Sequence, residues 1–454
     1  MRPIHGDGSS AASNAPPVGG AIGPDAGAVG MRQVLHSWGP LAASWILMAM
    51  ELPAVSAVMA RLPQPRISLA AYGGIVFPLS MIVEAPIIML LSASTALSKD
   101  ERSFALLRRF MFRIGAALTA IHLLVALTPL YGLVVGGLMH APAEILGPAR
   151  LGLILMTPWT FAIAYRRLHQ GVMIRFGHSH LVGIGTAVRL AANSLVLAAG
   201  LVIGRVPGFV VGPAAVALGV VGEAVFVGIT SRPIVRVALR RAPAVDPPLT
   251  LRSFLHFYIP LAMTSLLFLI TAPIGSAGVG RMPRTLDSLA AWPVLNGLVF
   301  FFRSIGIAFN EVVVALLGRP GAHAALRRFA YLLGTGTSAA LLVIAATPLA
   351  ALYFTRLSAL SPPLAELART AVWLVLPLPA LSVLQSWYQG NILHGGRTRS
   401  ITEAVVVFLI VNALVLIAGI LHGAVTGLYV ALAANALGAL AQIVWLRHRC
   451  RSTC

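Results

Sequence analysis

The sequence predicts an all-α polytopic membrane protein, with 12 transmembrane helices forming two pseudo-symmetric six-helix bundles. Three observations predict it: a composition too apolar for water, twelve apolar stretches of membrane-crossing length, and an internal duplication. Of the 454 residues, 58% are hydrophobic and 10% charged, whereas a soluble domain is about a quarter charged. So few charges cannot cover a surface of this size in water, so the bilayer is part of the solvent. Lipid offers the backbone no hydrogen-bond partner, so the spans are helices.

A span needs about 20 largely apolar residues. Stretches 36–60, 69–97, 111–138, 148–165, 181–204 and 207–230 qualify in the first half, and 254–280, 288–317, 330–354, 367–388, 400–422 and 425–446 in the second. They divide the chain into an N-lobe (35–230), a linker (231–253) with Pro247-Pro248, and a C-lobe (254–446). Residues 1–34 are rich in Gly, Ala, Ser and Pro and lack the apolar core of a cleavable signal. They are expected to form a disordered cytoplasmic tail, and 447–454 a second tail.

The net charge of +20 sits in short arginine clusters between apolar runs, such as Arg108-Arg109, Arg166-Arg167, Arg240-Arg241 and Arg327-Arg328. Clusters of this kind mark cytoplasmic loops and argue against a nucleic-acid partner. With both termini inside, 23 of the 33 Lys and Arg fall on cytoplasmic segments and eight on external ones. The expected placement is therefore multi-pass in the cell membrane, with both termini cytoplasmic. The single lysine, Lys99, precedes Asp100, so the Gly-Lys-Ser/Thr of a phosphate-binding loop is missing. Cys450 and Cys454 read as reduced thiols. His178-Ser-His180 has no acidic or cysteine company and is not expected to bind metal.

The duplication has an offset of 219–220 residues. Residues 40–71 and 260–291 align without gaps and share 13 of 32 identities, among them Pro40/Pro260, Pro53/Pro273, Arg61/Arg281 and Pro63/Pro283. Gln170-Gly171 recurs as Gln389-Gly390, and Asn193-x-Leu-Val-Leu-x-Ala-Gly200 as Asn412-x-Leu-Val-Leu-x-Ala-Gly419. Six spans per unit is even, so both halves enter the membrane the same way round. Their natural substrate site lies between them near the midplane.

Within the first repeat, Ala60-Arg61-Leu62-Pro63 followed by Leu69-Ala70-Ala71-Tyr72-Gly73 resembles the pattern after the first helix of multidrug and toxic compound extrusion (MATE) proteins. So does Gln389-Gly390 with Gly396-Arg397-Thr398-Arg399, between the fourth and fifth helices of a lobe. The Arg-Leu-Pro-Gln-Pro spacing resembles the progressive-ankylosis branch of the same multidrug/oligosaccharidyl-lipid/polysaccharide flippase superfamily. The resemblance implies a secondary active transporter, not an enzyme, working by alternating access. Its coupling cation would be H+ or Na+ and no other cofactor is expected. It implies a monomer in membrane lipid acting on a small-molecule or lipid-like substrate. Many family members carry an Asp where this chain has Val55; the nearest acid is Glu51, about one turn away. The alternative is a flippase for a lipid-linked oligosaccharide. A membrane-embedded transferase would want a His/Asp or paired-acid cluster at one interface, which the sequence does not supply.

Ionisable residues inside spans are expensive and are functional candidates by default. Glu51, two residues before the helix-breaking Pro53, reads as an ion-coupling group or as a structural hydrogen-bonder; Pro273 is the matching break. Glu84 lies mid-span, and its repeat mate Ser304 adjoins Arg303. The two would face one cleft, or find separate partners within their own lobes. Glu311 is a third coupling candidate, or a snorkelling side chain. Arg303, Arg189, Asn193, Asn296 and Asn310 are substrate-cleft candidates. Arg189 has Phe408 as its mate and shares a helix face with Asn193, whereas Asn193 recurs as Asn412. Glu223 matches Gln442 and reads as a polar packing contact, and His122 as a satisfied bundle histidine.

Overall fold

The structure, a computed structural model, describes residues 29–395 and 399–451. Residues 1–28 of the expected tail, Gly396, Arg397 and Thr398 of the family-like motif, and Cys454 lie outside the described residues. Every regular element among the described residues is helical. Twelve helices are long and apolar enough to span a membrane. They are α1 (Met31–Met59), α2 (Pro65–Glu84), α3 (Glu101–Leu127), α4 (Ala143–Arg175), α5 (Ser179–Ile203) and α6 (Gly208–Thr230), then α7 (Leu251–Val279), α8 (Thr285–Leu316), α9 (Ala322–Ala346), α10 (Pro362–His394), α11 (Arg399–His422) and α12 (Gly427–Cys450).

Several limits differ from the expected ones. Helix α1 begins at Met31, inside the expected tail, because Val34 is buried against Phe309, Leu316 and Phe329 of α8 and α9. Helix α12 continues through Cys450 instead of ending before the 447–454 tail. The second span breaks after Glu84 and resumes as Leu90–Leu97, since Pro86 has no N–H for the helix ladder. The largest change is in α4. It runs ten residues past the expected end at 165, so Arg166-Arg167 is not a loop cluster. Leu168, Val172 and Met173 carry the apolar pattern on, and Arg166 is buried.

The duplication is written into the backbone. Helices α1 and α7 both break at one residue, Met50 and Ile270, ahead of the repeated prolines. Gln64 and Arg284, each at φ 56°, begin α2 and α8 from the left-handed region. His140 and Ala359 share φ 52°, and Gly204 and Gly423 end α5 and α11 at φ 66° and 68°. Side chains rarely adopt this region, so matched non-glycine residues there point to one six-helix unit made twice.

The first halves of α1 and α7 cross to the opposite lobe. The Trp38 indole Nε1 donates to the carbonyl of Ile305 on α8 at 3.2 Å, and the ring packs edge-on against Phe329 of α9. On α7, Tyr258 donates its hydroxyl to the carbonyl of Pro86, and both Tyr258 and Phe254 pack on Phe110 of α3. Beyond the breaks each helix rejoins its own lobe, Met59 lying against Gly212 of α6 and Gly278 against Leu416 of α11.

At the end of the bundle away from the termini the lobes are clasped. Arg61 donates to the carbonyls of Arg356 and Leu357 at 2.6 and 3.0 Å, and Arg66 pairs with Asp287 at 2.7 Å. Gly280 lies so close to the Met139 carbonyl that a Cβ there would overlap its oxygen. A Cβ on Gly73 would fall 2.5 Å from Pro293 of α8.

Candidate functional site

The N-lobe interior holds a connected set of charges drawn from five of its helices. Glu223 of α6, fully buried, is the hub. Its carboxylate pairs with Arg166 of α4, accepts from Gln170 Nε2 at 2.9 Å, and lies 3.5 Å from Arg189 Nε of α5. Arg166 and Gln170 stand four residues apart and so share one face of α4. Arg189 reaches the other way as well, its Nη2 pairing with Glu51 of α1 at 3.1 Å. Asn193, one turn on, donates Nδ2 to the other Glu51 oxygen at 3.0 Å. Arg189 is thus a bridge between two carboxylates. The helix approach that permits this depends on Gly219, where a Cβ would come within 3.0 Å of the Arg189 carbonyl oxygen.

Glu84 of α2 completes the set. It is buried, its Oε2 has no hydrogen-bond partner among the described residues, and the charges of Arg167, Arg166 and Arg189 act on it. Three carboxylates therefore face three guanidiniums inside one lobe. Isolated charges at this depth would be prohibitive, whereas a balanced, hydrogen-bonded set is tolerable.

The C-lobe has no counterpart. The repeat mates of Glu51, Glu84, Arg166, Arg167, Arg189 and Glu223 are Thr271, Ser304, Gln385, Ser386, Phe408 and Gln442. The neutral amides recur, Asn193 as Asn412 and Gln170 as Gln389, with Asn412 donating to Asn435 Oδ1 at 3.1 Å.

The structure brings Glu51, Arg189, Asn193 and Glu84 into one region. Arg303 stands apart from them: it makes no ion pair with Glu84, and its Nε is buried without a hydrogen-bond partner among the described residues. Asn310 donates to the Ser386 carbonyl at 3.2 Å, a contact within the C-lobe. Asn296 is half-buried beside Gly297, whose missing side chain makes room for Pro53. Glu311 is exposed and Pro273 half-buried at the break of α7. Glu223 is a centre of the charged set rather than a packing contact. His122 is buried on Thr160 at 3.0 Å.

Sequence reasoning missed Arg166, Arg167 and Gln170 as site residues because two adjacent arginines after an apolar run read as a loop. Two signals could have found them. The run resumes through Ile174, and their mates Gln385 and Ser386 carry no charge.

No family model and no curated protein matches the chain. Solved structures do. An inward-facing multidrug resistance MATE family transporter of the MOP superfamily aligns at TM-score 0.68 with 14% identity, over 91% of this chain and 98% of that one. The lipid II flippase MurJ, in an inward closed conformation, aligns at 0.67 with 13% identity, over 90% and 87%. The Vibrio cholerae MATE transporter VcmN, in its bent form, aligns at 0.60 with 16% identity, over 93% and 98%. The chain has the fold of MATE transporters and of the wider flippase superfamily.

Proposed function

We propose that this protein is a secondary transporter in which the N-lobe charge set couples an inward flow of H+ or Na+ to export of an anionic or amphiphilic solute by alternating access. The observation that carries the reading is the position of Glu51. It begins the second segment of α1 directly after the break at Met50. The preceding segment is anchored on α8 and α9 through Trp38, and the following one on α6 through Met59. A rocking motion of the lobes must flex α1 at this joint, where Arg189 and Asn193 hold the Glu51 carboxylate. Neutralising that carboxylate with a proton, or screening it with Na+, weakens its hold on Arg189. Arg189 can then turn fully to Glu223. A cation that binds the two states unequally is what lets a gradient do work.

Arg303 supports an anionic cargo. Among the described residues its guanidinium has no carboxylate partner, and an unpaired charge in a span is costly unless an anion visits it. It also favours the alternative substrate class, a lipid-linked anion. Reconstitution in liposomes with an imposed pH or Na+ gradient tests both, using dyes, organic anions and fluorescent lipids as cargo. Gradient-driven uptake should be present in the wild type and lost in Glu51→Gln, and Arg303→Gln should lower anion transport selectively. Unchanged gradient dependence in Glu51→Gln removes that residue from the coupling step.

A further inference from the structure

We propose that the exposed face of α3 headed by Arg109 and Arg113 binds an anionic phospholipid, with the phosphate on the two guanidiniums and an acyl chain along the helix beyond them. Arg109, Arg113, Ala116, Ala120, Leu124 and Leu127 follow one another at intervals of three or four residues, and all six are exposed. That spacing sets them in one line along the helix. The line changes character once, at Arg113, with guanidiniums up to it and aliphatic side chains after it. Its charged end lies at the end of the bundle that carries the termini.

The two guanidiniums are uncommitted. Neither Arg109 nor Arg113 forms an ion pair or a side-chain hydrogen bond among the described residues. The carboxylates at the start of α3 are spent elsewhere. Asp100 is buried and accepts from Ser103 and Val245, and Glu101 pairs with Arg240 at 3.3 Å. Arg102 and Arg108, exposed in the preceding turns, add further positive charge.

The duplication identifies the surroundings of the line. The repeat mate of Arg109 is Arg328, but that of Arg113 is Leu332. On α9 Leu332 is 64% exposed and Val343, the mate of Leu124, 52% exposed. An aliphatic line left uncovered on a span in both lobes meets acyl chains, and Arg113 stands where the other lobe presents a leucine to them. A cation in that place is costly. A phosphate offsets the cost, because guanidinium is a donor only and binds phosphate oxygens in pairs. From Arg113 to Leu124 is eleven positions, about 16 Å of helix. That is close to half of a hydrocarbon core about 30 Å thick, so one lipid molecule with its phosphate at Arg113 covers the line with its chain. Inorganic phosphate would use the guanidiniums and leave the line bare, so the occupant argued for is the lipid.

Native mass spectrometry of the full chain in neutral detergent, titrated with phosphatidylglycerol or phosphatidylcholine, tests this. The wild type should retain phosphatidylglycerol in preference to phosphatidylcholine. Arg113→Gln should cut that preference about fivefold, and Arg109→Gln with Arg113→Gln about 25-fold, the worth of one and of two arginines near an anionic headgroup. Arg113→Leu copies the residue of α9 and should act like Arg113→Gln, with an unchanged unfolding midpoint to verify the fold. Arg205→Gln with Arg356→Gln removes two exposed arginines at the opposite end and should leave the preference intact. A wild type without preference, a double variant of α3 that keeps it, or a control pair that loses as much overturns the proposal. Displacement of the lipid by millimolar glycerol phosphate, which has the phosphate without the chains, overturns the choice of occupant.

Discussion

Replacing Glu223 with Gln removes one charge while nearly preserving shape, so it isolates the electrostatic role of the N-lobe hub. In the wild type this buried carboxylate balances Arg166 and Arg189 and accepts from Gln170. The amide can still accept from Gln170, but two buried guanidiniums then share the remaining carboxylates. Breaking a buried pair from one side costs about 3–5 kcal/mol, because the other charge stays buried and uncompensated. The duplication supplies a control. The fourfold variant Glu51→Thr, Arg166→Gln, Arg189→Phe and Glu223→Gln copies the C-lobe mates into the N-lobe and keeps the remaining Glu84 and Arg167 balanced. The phenyl ring introduced by Arg189→Phe should fit, because Phe408 already packs on Gly438 as Arg189 packs on Gly219. Exchanging a buried ionic set for well-packed neutral groups is neutral or stabilising by about 1–4 kcal/mol, so this variant should recover most of the loss. Equilibrium unfolding in detergent, followed by tryptophan fluorescence, measures both. A Glu223→Gln protein within about 1 kcal/mol of wild type would refute the reasoning, as would a fourfold variant less stable than the single one. Coupled transport should be absent from the fourfold variant however stable it is.

Two further outcomes follow from other parts of the molecule. Asp100 caps α3 by accepting from Ser103 N–H at 2.9 Å and holds the linker by accepting from Val245 N–H at 3.2 Å. Burial pushes its carboxyl up, but these hydrogen bonds and nearby Arg102 outweigh it and hold the group below the usual range. Its contribution is therefore present above the ordinary Asp value of about 3.9 and lost as pH falls through the lowered folded value. Asp100→Ala should cost about 1 kcal/mol at pH 7 and flatten the acid limb of a stability–pH profile below about pH 4; an acid limb as steep as wild type contradicts this assignment. At the clasped end, Gly73→Val should cost about 1–3 kcal/mol by overpacking against Pro293. Gly136→Ala, at a helical position with nothing within 4 Å of the added carbon, should cost nothing measurable, and equal losses in the two would argue against close lobe contact.

The membrane solvent, the number of spans and the duplication are legible in the residues alone. They rest on quantities that survive without coordinates: apolar run length set by bilayer thickness, and residue identity at constant offset. Glu51, Glu84, Arg189 and Asn193 stand out in the same way, because a charge or amide inside an apolar run is visible along one dimension. Which of them meet is settled only by packing in three dimensions. Arg166 reads as a loop residue until α4 runs on beneath it, and Glu223 reads as packing until α4 and α5 converge on it. Arg189 could equally have faced an anionic ligand; its two carboxylates come from α1 and α6, 138 positions before it and 34 after it in the chain. The crossing of α1 and α7 into opposite lobes leaves no mark in the sequence either. Either lobe offers those helices an equally apolar surface, so hydropathy is the same in both arrangements. What distinguishes the observed arrangement is specific contact, the Trp38 hydrogen bond to Ile305 on one side and the Tyr258 hydrogen bond to Pro86 on the other.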